Sequence, residues 1–206
     1  VSLNTETLTV GRYLLDRLLQ LGVEHIFGVP GDYILRFDKM IEEHPIHFIN
    51  ATRENTAGYM ADAYGRAKGL GACLITYGVG INIANAASQA FAESSPLVII
   101  SGAPGKKELE RSVYLHHLIN PEERNKKERT QENILKNVTI DRAVLSDPSQ
   151  AATEIDRVLL CAYRKKKPVY IELPRDIVEM PIKEKVPSTP DEARSDPSAL
   201  KEATLE

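Results

Sequence analysis

Short, nearly unbroken apolar runs recur along this chain, spaced so that one helix fits between successive runs. They are HIFGV (25–29), IHFI (46–49), ACLIT (72–76), LVIIS (97–101) and VYIEL (169–173), with VTIDRAV (138–144) as a weaker sixth. A strand with one solvated face alternates apolar and polar residues; an unbroken apolar run has to be buried on both faces. The segments between the runs carry helical spacing instead. Val10, Leu14, Leu15, Leu18 and Leu21 share one helical face behind Thr9 as a cap, and Gly22 stops the pattern. An Ala-rich helix is predicted from Arg53 to Ala67, closed by Gly69, and a helix of small residues from Asn82 to Ala92. Pro148 opens another, with Ala151, Ile155, Val158, Leu159 and Ala162 on one side. Its end, Lys165 to Lys167, places cations where the helix dipole favours them. Strands alternating with helices specify βαβ units, so the expected fold class is α/β: a three-layer α/β/α domain with a six-stranded parallel sheet.

Composition narrows the function classes. The 206 residues include 26 basic and 29 acidic side chains, a near balance that argues against nucleic acid as a partner. With 42% hydrophobic residues the bulk of the chain is not disordered. Residues 69–92 carry no charge, but Thr76, Asn82, Asn85, Ser88 and Gln89 make this stretch too polar for a membrane span. The start, Val1 to Thr9, lacks the charged and apolar regions of a signal peptide. Cys73 and Cys161 have no CxxC or His-rich companions and read as small apolar residues in a reduced, cytoplasmic setting. Four of the 12 prolines fall in 181–197. The expected organisation is one domain over 1–181, then a Pro-rich linker and the start of a further domain over 182–206.

In an open parallel sheet, ligands bind beyond the carboxyl ends of the strands. The unusual residues gather there: Pro30, Gly31 and Asp32 after the first run, Arg53 and Glu54 after the second, Thr76, Gly78 and Gly80 after the third, Gly102 to Gly105 after the fourth. Gly78-Val79-Gly80 resembles half of a dinucleotide fingerprint, but the next strand ends in Ser101-Gly102 where an acidic residue would hold the ribose. Close helix–strand packing explains those glycines better. Adjacent histidines, His116 and His117, lack the i,i+4 spacing or Cys/Asp companions of a metal site. The run from Glu122 to Glu132 reads as a solvated face.

FGVPGDY (27–33), RENTAGYMADAYGRAKG (53–69), TYGVG (76–80), SGAPG (101–105), YLHH (114–117) and PVYIELPRD (168–176), in this order, resemble the N-terminal pyrimidine-binding domain of thiamine-diphosphate-dependent enzymes, nearest the pyruvate, indolepyruvate and phenylpyruvate decarboxylase branch. The resemblance implies that Glu54 hydrogen-bonds the aminopyrimidine ring of thiamine diphosphate and favours the tautomer that activates the thiazolium carbon. It implies that Pro30, Gly31 and Thr76 line the pyrimidine slot. Asp32, His116 and His117 would form a proton relay that acetohydroxyacid-synthase-like relatives generally lack. The implied activity is non-oxidative decarboxylation of a 2-keto acid to an aldehyde and carbon dioxide. Rival readings are a carboligase of that related type and a non-catalytic dimerisation module. The family binds Mg²⁺ and the diphosphate through a Gly-Asp-Gly motif on a C-terminal domain; here Gly31-Asp32 is followed by Tyr33, so no metal ligand is expected in this chain. A homodimer or homotetramer, with the diphosphate-binding domain supplied by a partner chain, is implied. One departure stands out: GINIANA (80–86), with Ile81 and Asn82 at the turn.

Overall fold

The computed structural model describes residues 8–110, 115–120 and 129–182. Strands β1 (His25–Gly28), β2 (His47–Asn50), β3 (Gly71–Ile75), β4 (Leu97–Ala103), β5 (Asp141–Val144) and β6 (Val169–Pro174) form one sheet in the order β2-β1-β3-β4-β6-β5. Every pairing is parallel. The expected six-stranded α/β/α architecture is what forms.

Burial along the strands shows why the apolar runs are unbroken. Every residue of β3, β4 and β6 is buried. Alternate residues point into different layers: Ala72, Leu74, Val98 and Ile100 meet α1 (Val10–Gln20), α2 (Leu35–Glu42) and α7 (Ala151–Lys165). Cys73, Ile75, Leu97 and Ile99 meet α3 (Glu54–Lys68), α4 (Ala84–Ala92) and Leu135 of α6 (Thr130–Leu135). Each fully buried aliphatic side chain of this kind contributes about 1.5–3 kcal/mol by transfer from water. The outer strands β2 and β5 are only partly buried, as edges must be.

The ends of the helices follow local rules. The Arg12 amide donates to Thr9 Oγ1 at 3.3 Å, capping α1. Gly69 ends α3 in the left-handed region at φ 102°. Elsewhere the chain differs from the sequence reading. The expected helix over 82–92 begins as a 3₁₀ turn, Val79–Ile83, and becomes α-helical at Ala84. The helix expected from Pro148 starts at Ala151, because the Ser149 amide and hydroxyl both turn back to Asp147 Oδ1. The run 138–144 contributes only four strand residues. Helix α2 was not anticipated, although Ile34, Phe37 and Ile41, all buried, carry a helical period. Cys73 is fully buried and Cys161 partly so; both are free thiols, and burial pushes both upward in pKa. No helix among the described residues is long and apolar enough to cross a membrane. Most of the stretch expected to be a linker lies outside the described residues; before it, Ile182 N–H donates to the Leu8 carbonyl beside the start of α1.

Two reversals in strand order open crevices at the carboxyl edge. The chain leaves β1 toward α2 on one face and leaves β3 toward α4 on the other. A comparable divergence separates the exits of β4 and β6: the chain leaves β4 into α5 (Lys106–Glu110) ahead of α6, while the segment after β6 packs with α1. Such switch points are where an open sheet takes ligands.

A buried ion pair ties the first helix to the last. Arg17 Nε donates to Asp156 Oδ1 at 2.5 Å, and the Tyr13 hydroxyl donates to Oδ2 at 2.9 Å. Asp156→Ala strands the guanidinium, and we expect a loss of about 3–5 kcal/mol in urea unfolding. Arg17→Met combined with Asp156→Leu should recover most of it; a loss below about 1 kcal/mol for the single variant would show that water reaches Arg17.

Asp38 has neither carboxyl oxygen hydrogen-bonded among the described residues. Burial, with the nearby Glu42 charge, raises its pKa to about 7. The folded chain thus holds a proton that the unfolded chain releases near pH 4, and stability falls as pH rises from about 4 to about 7. Asp38→Asn should flatten that slope and raise Tm at pH 8. An unchanged Tm–pH profile would show that Asp38 is solvated.

Candidate active site

The first crevice brings together five of the seven residues singled out in the sequence. Asp32 follows β1, and its Oδ2 lies 2.5 Å from His116 Nε2. His117 packs edge-on to His116 with ring centroids 4.5 Å apart. Gly31 sits against Thr76: a Cβ at position 31 would lie 2.5 Å from Thr76 Cβ. Pro30 is exposed at the end of β1, and Glu54 opens α3 on the other side of the crevice.

A tyrosine that the sequence reading passed over anchors the histidines. Tyr33 is fully buried, and its hydroxyl donates to the His116 carbonyl at 2.9 Å. Its ring stacks on His116 at 5.1 Å, and the Arg175 guanidinium lies 5.1 Å from the ring centroid on a cation–π contact. Burial first, then the Asp32 charge, push the Tyr33 pKa up to about 12, so the phenol stays a donor. Arg175 is held in turn by ion-paired Glu108. An aromatic residue directly after the Gly-Asp turn was the available signal.

His117 adopts a left-handed backbone at φ 62°, which is costly for a residue with a side chain. Its carbonyl abuts Gly78: a Cβ there would lie 1.9 Å from the His117 carbonyl oxygen, and Gly78 itself has φ 77°. The Gly78 amide donates to Gln131 Oε1 at 2.7 Å, and Gln131 is fully buried rather than part of a solvated face. Nothing in the charged run around it distinguishes Gln131; its burial follows from where α6 docks.

The turn after Gly78 carries Asn82, whose Nδ2 donates to Glu54 Oε2 at 3.2 Å. The departure seen in the sequence is therefore a contact to the candidate catalytic carboxylate. Thr76 Oγ1 is buried with no hydrogen-bond partner among the described residues. An orphan buried hydroxyl, with a half-buried carboxylate at a helix start across the crevice, fits a ring that brings its own donors and acceptors. On this observation the residues suit the pyrimidine of thiamine diphosphate.

Asp32, His116 and His117 also place their ligand atoms within 4.8 Å of one another, a set that could hold a metal ion. In the sequence the histidine pair has neither i,i+4 spacing nor a Cys/Asp companion; in space Asp32 is such a companion. Its oxygen is already engaged by His116, however, so this set fits a hydrogen-bonded relay.

Residues 8–131 match the thiamine pyrophosphate enzymes through their N-terminal TPP binding domain. The chain belongs to this family. Pyruvate decarboxylase of Aspergillus parasiticus is 40% identical over 174 residues, covering 84% of this chain and 30% of that protein. Alpha-keto-acid decarboxylase of Mycobacterium tuberculosis (strain H37Rv) is 42% identical over 175 residues, and that of Mycobacterium leprae 43%, with the same coverages. The chain thus spans about three-tenths of the length of these relatives.

Gly78→Ala should force the histidine loop away from the turn. We expect a loss of at least about 1–2 kcal/mol, with NMR shifts concentrated at His116, His117 and Tyr33. Unperturbed histidine resonances would show that the close approach does not position the loop.

Proposed function

We propose that this chain is the pyrimidine-binding N-terminal part of a thiamine-diphosphate-dependent 2-keto acid decarboxylase that releases an aldehyde and carbon dioxide. The observation that carries this reading is the Asp32–His116 contact with His117 against it. Two imidazoles and a carboxylate in contact can accept and return a proton, as protonation of a decarboxylated product requires.

When bound, thiamine diphosphate supplies the carbanion chemistry. Glu54 would orient the pyrimidine by hydrogen-bonding a ring nitrogen, with Asn82 fixing the carboxylate through Oε2. Thr76, Gly31 and Pro30 would form the slot, the glycine keeping the floor clear of a side chain. Asp32 would hold the His116 ring through Nε2, and His117 would carry the proton toward the reacting carbon. Burial of Tyr33 beneath them keeps water from one side of the relay. Mg²⁺ and the diphosphate would be held by a C-terminal domain of a partner chain, in a cytoplasmic homodimer or homotetramer. The decarboxylases among its relatives support this reading, as does their greater length.

In the full-length enzyme, Glu54→Gln should lower turnover at least about a hundredfold and slow proton exchange at the cofactor's C2 carbon. His117→Phe should lower kcat by a similar factor with cofactor affinity within about threefold. Normal C2 exchange in the Glu54 variant would sink its assignment. Lost cofactor affinity with unchanged kcat at saturation in the His117 variant would make the histidines structural.

A further inference from the structure

The second crevice, where β4 and β6 diverge, holds a cavity of about 160 Å³. Nothing in the proposed decarboxylase mechanism uses it. Tyr77 forms its wall on the side of the histidine pair, where that ring packs against Tyr33. A cavity of roughly this volume admits a ligand of about six non-hydrogen atoms.

The chemistry of the lining is uneven. Leu109, Val144 and Pro174 give apolar walls, while Lys106 and Arg129 supply two cations against one anion, Glu172. Glu172 is only 5% exposed, and its needs are met from within the protein. Tyr170 Oη donates to Oε2 at 2.8 Å, and Arg129 Nη1 donates to Oε1 at 3.3 Å. Tyr170 is fixed in turn by Gln131, which also donates to Ser101 Oγ and accepts from the Gly78 amide. A carboxylate removed from water is retained only where a partner compensates it. The partner here is a guanidinium that remains half-exposed, held at the cavity by a rigid buried network. Arg129 has five N–H donors and, among the described residues, directs one to Glu172; its Nε is 4.0 Å from Glu132. Within that set donors remain for a second carboxylate, and Lys106 lines the same cavity.

We propose that this cavity binds a short-chain aliphatic monocarboxylate, its charge held by Arg129 and Lys106 and its alkyl chain by Leu109, Val144 and Pro174. The site is separate from Glu54 and the histidine pair, and the inference stands whether or not the decarboxylase reading does. Ligands of this size bind with millimolar affinity.

The test is titration of the 206-residue chain with butyrate at constant ionic strength, followed by NMR amide shifts. Butyramide serves as the uncharged isostere. Saturable millimolar shifts at Val144, Glu172 and Leu109 are expected for butyrate, with at least tenfold weaker binding of butyramide. Arg129→Gln and Lys106→Gln should each weaken butyrate severalfold, and Val144→Phe should block the cavity while the circular dichroism spectrum is retained. Equal binding of the amide, shifts confined to Asp32 and His116, or an Arg129 variant that is folded and binds normally would overturn the proposal. So would the absence of saturation at about 50 mM, since that exceeds the affinity range expected of a built site.

Discussion

Burial of the sheet on both faces is the constraint from which the site follows. Once β3, β4 and β6 are covered on both sides, a polar group on a strand face has to be paired within the protein, as Ser101, Tyr170 and Glu172 are. Groups that must meet a ligand are placed at the strand ends, where crossovers that diverge to opposite faces leave gaps. The residues at those gaps are the ones with unusual side chains or backbone angles. The same layers that bury Ile75 and Leu97 thus decide where Thr76 and Asp32 stand.

Within the first gap, one short segment acts as a common wall. Residues 76–82 touch each functional group in turn: Thr76 backs Gly31, Gly78 abuts the His117 carbonyl, and Asn82 bonds Glu54. Gln131 fastens this wall to the buried Ser101–Tyr170–Glu172 network, so the two crevices share one rigid polar partition.

The domain presents a one-sided site. Its candidate residues are partly or wholly exposed except Thr76, and the relatives it matches are nearly three times as long. Half-exposed Glu54 and exposed His116 acquire low-dielectric surroundings only where another surface covers them. That accords with the proposed pairing to a diphosphate-binding domain.

What the sequence determined by itself was the architecture and the address of the site. Unbroken apolar runs require burial on both faces, helical spacing between them requires crossovers, and together these leave the Pro30–Asp32, Glu54 and Thr76–Gly80 segments at one edge. Motif resemblance supplied roles for Glu54, Asp32 and the histidines. Tertiary structure alone decided the contacts. That Asp32 meets His116 across 84 positions of sequence, that Gln131 leaves a charged run for the core, and that Asn82 reaches Glu54 all depend on how helices dock. The physical reason is one of range: periodicity and caps act over a few residues, whereas these bonds join side chains whose separation is set by the packing of whole layers.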